Sequence, residues 1–142
     1  MSEERLREKF ERALQVHNDG TGQQFLYSLL DFNIEYLEEE EKVRITAPVD
    51  EVKFNPVGFL HGGIITYIAD TAMGHLCAAF GSPSVSLELK TQFFRTANDG
   101  EIIAVASFIK KGKTVQFVEC DLHDDKNRHL AKVTATFYQL EG

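Results

Sequence analysis

Residues 54–70 read FNPVGFLHGGIITYIAD, and the spacing N-x5-HGG-x6-D sets Asp70 inside an otherwise apolar run that continues to Phe80. An ionised carboxylate is costly to bury unless it is paired or used. Asp70 is therefore either a hydrogen-bonded structural acid or a functional one. In the functional case it can act as general base on a water or attack a carbonyl itself. Gly62 and Gly63, beside His61 where a helix starts, leave backbone N–H groups open to close approach by a polarised oxygen. The same glycines equally serve a tight loop-to-helix turn. Asn55 lies in a loop closed by Pro56 and Gly58; its amide can donate to that oxygen, while Asn-Pro is also an ordinary turn pair.

Other patterns carry less. "GKT" at Gly112 to Thr114 lacks the first glycine of a P-loop, whose position is held by Ser107. Lys110, Lys111 and Lys113 still form a basic cluster in an acidic chain, read either as a solvated hairpin tip or as a local site for a phosphate-bearing ligand. His17, His75, His123 and His129 show no metal-ligand spacing with carboxylates or cysteines and are read as structural or surface residues. Cys77 and Cys120 match no zinc or redox spacing and read as buried reduced thiols.

The elements that must hold these residues follow from pattern. With 142 residues, 43% hydrophobic, one domain with a real core is expected. Leu6, Phe10, Ala13 and Leu14 recur at helical spacing after Ser2, with "NDG" as the stop, which predicts a surface helix in residues 1–20 packed on a domain of residues 21–142. A short helical turn at "FLYSLL" precedes two extended pieces joined by four solvated glutamates; in the second piece Val43, Ile45 and Ala47 alternate with polar neighbours. The stretch from about His61 to Phe80 is too long and apolar for a strand and reads as a buried helix. "VSLELKTQFF", "EIIAVASFIKK", "TVQFVECDLHD" and "HLAKVTATFYQL" follow as strands, the middle two joined at Gly112. Strict alternation groups Ser86 with Glu88 and Lys90, opposite Val85, Leu87 and Leu89. The class is α+β, a helix packed on an antiparallel sheet.

Fifteen basic against 22 acidic residues give a net charge of -7, which argues against nucleic acid as partner. The charged N-terminus has no apolar region of the secretory kind, and the run from Ile64 to Phe80, interrupted by Asp70 and His75, falls short of a membrane span. A cytoplasmic protein with no membrane partner is the expectation.

The ordered set N-x5-HGG-x6-D, then "VSLEL" and "KKGKT", resembles the hotdog-fold acyl-CoA thioesterases, in particular the phenylacetic-acid-degradation branch, over about Leu29 to Tyr138. That resemblance implies a long central helix wrapped by a curved antiparallel sheet, a homodimer as active unit and commonly a homotetramer, with sites across the dimer interface. It implies that Asn55 and the Gly62 amide hold the thioester oxygen, that His61 supports the loop, that Asp70 of the other subunit is base or nucleophile, and that Ser86 orients water. Coenzyme A would be met by Arg95 and Thr96 and by the hairpin Lys110, Lys111, Gly112, Lys113 and Thr114. The chain departs from the family in having Thr96 where proline often follows the "FxR" stretch. No metal or cofactor is implied beyond coenzyme A as part of the substrate.

Hydrolysis of an acyl-CoA thioester is the first functional expectation. A non-catalytic acyl-CoA sensor or carrier accounts for the fold and the lysine hairpin but leaves Asp70 unexplained. Enoyl-CoA hydration ranks last, because hotdog hydratases carry an acid shortly before the histidine, where this chain has Asn55, and an amide cannot take a proton as a base. Phe54, Phe59, Tyr67, Met73 and Phe93 are candidates to line an aromatic or an aliphatic acyl pocket.

Overall fold

The structure, a computed structural model, describes residues 1–20 and 24–140. The expected boundary after residue 20 abuts residues 21–23, which lie outside the described residues. Helix α1 (Glu3–Asp19) begins at Ser2, whose hydroxyl accepts from Arg5 N at 3.2 Å, and closes at Gly20 with φ 61. That positive φ is why glycine suits the position.

The inward face of α1 differs from the expected apolar stripe. Ala13 is buried, but so is Lys9, whereas Leu6 and Phe10 remain 42% and 48% exposed. Lys9 pairs with Asp31 and lies 3.2 Å from Asp50; the fully buried Lys53 also approaches Asp50 at 3.2 Å, and Arg12 approaches Asp31 at 3.3 Å. Loss of hydration pushes the Lys53 ammonium below its usual range, and Asp50 opposes that. The helix is therefore docked by a partly buried ion network as much as by apolar contact.

After α2 (Phe25–Leu29) come β1 (Asn33–Leu37) and β2 (Lys42–Pro48), then a 3-10 turn at Glu51–Lys53. Val43, Ile45 and Ala47 of β2 are all buried, as period 2 predicts. Helix α3 (Gly62–Phe80) is followed by β3 (Ser84–Phe93), β4 (Glu101–Lys111), β5 (Val115–Asp124) and β6 (His129–Gln139). These strands form one antiparallel sheet in the order β1-β2-β4-β5-β6-β3, so β1 and β3 are its edges. At the β4–β5 turn a Cβ on Gly112 would stand 2.3 Å from the Val115 carbonyl oxygen, so only glycine fits. The sheet packs on α3 through Ile65, Ile68, Ala69, Ala72, Met73, Leu76 and Cys77. This is the hotdog fold, α+β with an added N-terminal helix. Each fully buried Ile, Leu or Met contributes roughly 1.5–3 kcal/mol, enough for α3 to tolerate a carboxylate and a mid-helix glycine on its other face.

Strict alternation fails in β3. Ser86 pairs with Phe137 while Glu88 pairs with Thr136, so Leu87 is an extra, unpaired residue. Directly opposed residues share a face, and Phe137 is buried. The bulge thus turns Ser86 to the helix side with Leu89 and away from Glu88 and Lys90, correcting the face expected from period 2. A second bulge at Ile109 interrupts β4. Met73, expected among the pocket candidates, is fully buried in the core. Both cysteines are free and buried; burial pushes the Cys77 thiol up to about 11 and the Cys120 thiol higher still.

Replacing Lys9 by alanine leaves Asp31 and Asp50 short of a buried counter-charge. Urea denaturation is expected to show a loss of about 3 kcal/mol, against less than about 0.5 kcal/mol for Arg7→Ala, which removes only an exposed pair with Glu3.

Candidate active site

The loop before α3 is built by its own backbone and by Asn55. Asn55 Oδ1 accepts from Val57 N and Phe59 N, both at 3.1 Å, and Asn55 N donates to Phe59 O at 2.7 Å. Two N–H donors on Oδ1 fix the orientation of the amide. Its Nδ2 then makes no hydrogen bond among the described residues and is free to donate. Gly58, with φ 88, supplies the left-handed step of this loop.

His61 is the N-cap of α3. Its Nδ1 accepts from Gly63 N at 2.9 Å, which requires the proton on Nε2, and its own N–H donates to Lys53 O at 2.8 Å. The histidine expected to support the loop is therefore a helix cap. Gly62 N–H has no acceptor among the described residues. A Cβ on Gly62 would lie 3.1 Å from Phe93 Cζ, so glycine also lets the end of β3 close over the helix start. Val52, Phe54, His61, Gly63 and Ile64 line a cavity of about 380 Å³ here.

Asp70 lies two turns further along α3, half-buried, in a second cavity of about 470 Å³ that Ser86 also lines. Burial raises its carboxyl above the usual carboxylate range, and the Ser86 hydroxyl beside it partly offsets this. The bulge at Leu87 is what brings Ser86 to this cavity. Tyr67, Thr71 and Gly74 share the helix face with Asp70, at steps of three and four residues.

Two groups expected to work together are apart in one chain. From Gly62 to Asp70 the helix rises roughly 12 Å, too far for one carbonyl to meet both. Strand β3 runs back along α3: Phe93 lies against Gly62, Thr91 and Thr66 hydroxyls meet at 3.0 Å, and Ser84 and Ser86 reach the Asp70 cavity.

The basic residues divide likewise. Arg95 and Thr96 are exposed just after β3, where Arg95 N donates to Leu130 O at 3.1 Å near the start of β6. Lys110, Lys111, Gly112, Lys113 and Thr114 sit at the other end of that strand, where Thr114 O accepts from Gln139 N at 2.7 Å. The two sets are roughly 30 Å apart along β6. Lys111 pairs with Glu41 and lies 4.8 Å from the Phe108 ring centroid.

Residues that motif reasoning passed over complete the Asp70 cavity. His75, read as structural, lines it with Tyr27: Nε2 is 3.2 Å from Tyr27 Oη and Nδ1 is 2.8 Å from Tyr36 Oη. Burial pushes the imidazole below its usual pKa, keeping it neutral. The spacing of Tyr67, Asp70, Thr71, Gly74 and Ala78 was the legible signal; Tyr27 gave none. No group of three or more His, Cys, Asp or Glu side chains placed to hold a metal occurs among the described residues.

The thioesterase superfamily model matches residues 57–131. Human acyl-coenzyme A thioesterase 13 is 36% identical over 84 residues, 57% of this chain and 60% of the human protein. The 1,4-dihydroxy-2-naphthoyl-CoA hydrolase of Escherichia coli is 27% identical over 110 residues, 75% of this chain and 80% of that one. The chain thus spans about three fifths of the human relative's length. The crystal structure of the BH2602 protein from Bacillus halodurans with CoA superposes with TM-score 0.87 at 24% identity, over 100% of this chain and 97% of that one. For the Escherichia coli PaaI protein from the phenylacetic acid degradation operon the values are 0.79 and 19%, over 94% and 97%. At these identities the two structures share the fold.

The cap role of His61 is checked by stability. His61→Ala is expected to lose about 1 kcal/mol in urea denaturation, while His61→Asn, which keeps a cap acceptor, stays within a few tenths of a kcal/mol of wild type.

Proposed function

Since the chain belongs to the thioesterase superfamily, we propose that it is an acyl-CoA thioesterase. The single observation that carries this reading is the half-buried Asp70 facing a cavity beside Ser86, on a helix whose start offers the uncommitted Gly62 N–H and Asn55 Nδ2. In the reaction, water adds to the thioester carbonyl and the C–S bond breaks, releasing the free acid and the coenzyme A thiol. Asp70 takes the proton of the attacking water, or itself attacks the carbonyl to give an anhydride that water then opens. Ser86 orients that water. Gly62 N–H and Asn55 Nδ2 donate to the oxygen as it gains charge, a type of stabilisation worth several kcal/mol in acyl transfer. The reaction so written draws on no metal or redox group.

The separation of Gly62 from Asp70 is resolved by pairing two copies. Edge strand β3 exposes Val85, Leu87 and Phe93, and a ten-residue edge of that kind is normally blunted or covered. Antiparallel pairing of two β3 strands about their middle sets the Phe93 end of one beside the Ser84 end of the other. Gly62 and Asn55 then face Asp70 of the partner subunit. The same operation carries Arg95 and Thr96 toward the partner's Lys110 to Thr114 hairpin, so the coenzyme A phosphates meet basic groups from both copies. The active unit in this reading is a dimer, assembled further into a tetramer, in the cytoplasm. The ordered set N-x5-HGG-x6-D, VSLEL and KKGKT is what favours placement in the phenylacetic-acid-degradation branch, with an aromatic or fatty acyl substrate.

Asp70→Asn is expected to lower kcat/KM for CoA thioesters by on the order of a thousandfold, read as thiol release; a folded variant within tenfold of wild type overturns the proposal. Activity falls as pH drops through the raised Asp70 pKa. A raised folded-state pKa favours the protonated form, so this group's contribution to stability is present at low pH and lost as pH rises through that pKa. Asp70→Asn is therefore expected to melt at the wild-type temperature or above it at pH 7.

A further inference from the structure

The stretch from Asp50 to His61 is held together chiefly by its own bonds. Lys53 N donates to Asp50 O at 3.0 Å, Phe54 N to Glu51 O at 3.2 Å and His61 N to Lys53 O at 2.8 Å, and both N–H groups on Asn55 Oδ1 belong to the same stretch. Such a segment shifts as one unit, so whatever anchors it also aims Asn55 and the N-cap His61. One anchor is apolar: Leu60 is buried in the core, and its N–H donates to Ala97 O at 3.0 Å.

The other anchor is charge. Asp50 occupies the N-cap of the 3-10 turn, where a carboxylate ordinarily accepts from a turn amide, yet its side chain makes no capping bond. Its two oxygens go instead to two ammonium groups, Oδ1 to Lys53 Nζ and Oδ2 to Lys9 Nζ, each at 3.2 Å. Lys53 belongs to the loop and Lys9 to α1, so Asp50 ties the loop to the helix. Lys9 in turn pairs with Asp31, which Arg12 approaches at 3.3 Å. Both lysines are buried, so displacing either leaves a charge unpaired away from water. An ionic anchor of this kind adds less to stability than apolar packing does, but it admits one geometry. Leu6 and Phe10, the side chains suited to unspecific docking of α1, stay exposed.

Resting on the thioesterase reading, we infer that Lys9 is a positioning residue: through Asp50 and Lys53, α1 fixes the loop that aims Asn55 Nδ2 and the start of α3 at the thioester oxygen. Donors to a developing oxyanion are sensitive to displacements of an ångström or less, whereas binding of the rest of the substrate is not.

The test follows thiol release from acetyl-, hexanoyl- and benzoyl-CoA, together with amide hydrogen exchange, at a temperature where each variant is folded. Lys9→Met is expected to lower kcat about tenfold or more while KM stays within about twofold. In an Asn55→Ala background the same substitution costs about threefold or less, because the donor it places is gone. The Val57, Phe59 and Gly63 amides, bonded to Asn55 and His61, exchange about tenfold faster relative to those of Cys120 and Leu122 in β5, which report global opening. Asp50→Asn keeps the shape of the side chain and shows the same effects if Lys9→Met fails to fold. Wild-type kcat in either folded variant, full additivity with Asn55→Ala, or loop amides that accelerate no more than those of β5, overturns the inference. Absence of thiol release from wild type defeats the hydrolase reading instead, and the exchange comparison then decides alone whether Lys9 holds the loop.

Discussion

A nineteen-residue helix with Ile65, Ile68, Ala69, Ala72, Met73, Leu76 and Cys77 all withdrawn from water cannot lie on a flat surface. Those residues cover far more than one stripe, so the sheet has to curve around α3 to reach them. Strands β2, β4, β5 and β6 do so with buried residues at every second position. The face that the sheet leaves uncovered is the one bearing Asp70, Gly74 and His75. Burial of α3 therefore decides both the fold and the location of the cavity.

Within that frame, local departures from regularity aim the polar groups. The extra residue at Leu87 turns Ser86 from the Glu88 face to the Asp70 cavity. Asn55 bonds two backbone N–H groups through Oδ1, which aims its Nδ2 outward. His61 caps α3 at Gly63 and leaves Gly62 N–H uncommitted. In each case a backbone requirement is met by one atom of a side chain or by one residue of a turn, and a neighbouring group is left available for chemistry.

Much of this was legible in the amino-acid sequence. The buried helix, the capping glycines and the strand succession follow from hydrophobic period and turn residues, and Asp70 is conspicuous because a carboxylate in such a run needs a reason. What escaped was of three physical kinds. A bulge adds one residue to a period-2 pattern without changing its composition, so strict alternation puts Ser86 on the wrong face. An ion network buries Lys9 and leaves Leu6 and Phe10 exposed, so the apolar period of α1 does not mark the face by which it docks. Contacts between distant segments, such as His75 with Tyr27, leave no mark in local spacing.

On the proposed acyl-CoA reading, the two buried thiols bear on the chemistry. An acyl-CoA is an electrophile that any accessible thiolate can intercept by exchange, leaving the acyl group on the protein. Cys77 sits on α3, the same helix as Asp70, yet burial holds its thiol protonated and walled off, and Cys120 lies deeper still. The fold thereby removes its own nucleophiles of the coenzyme's kind, so that water has no sulfur competitor within the chain.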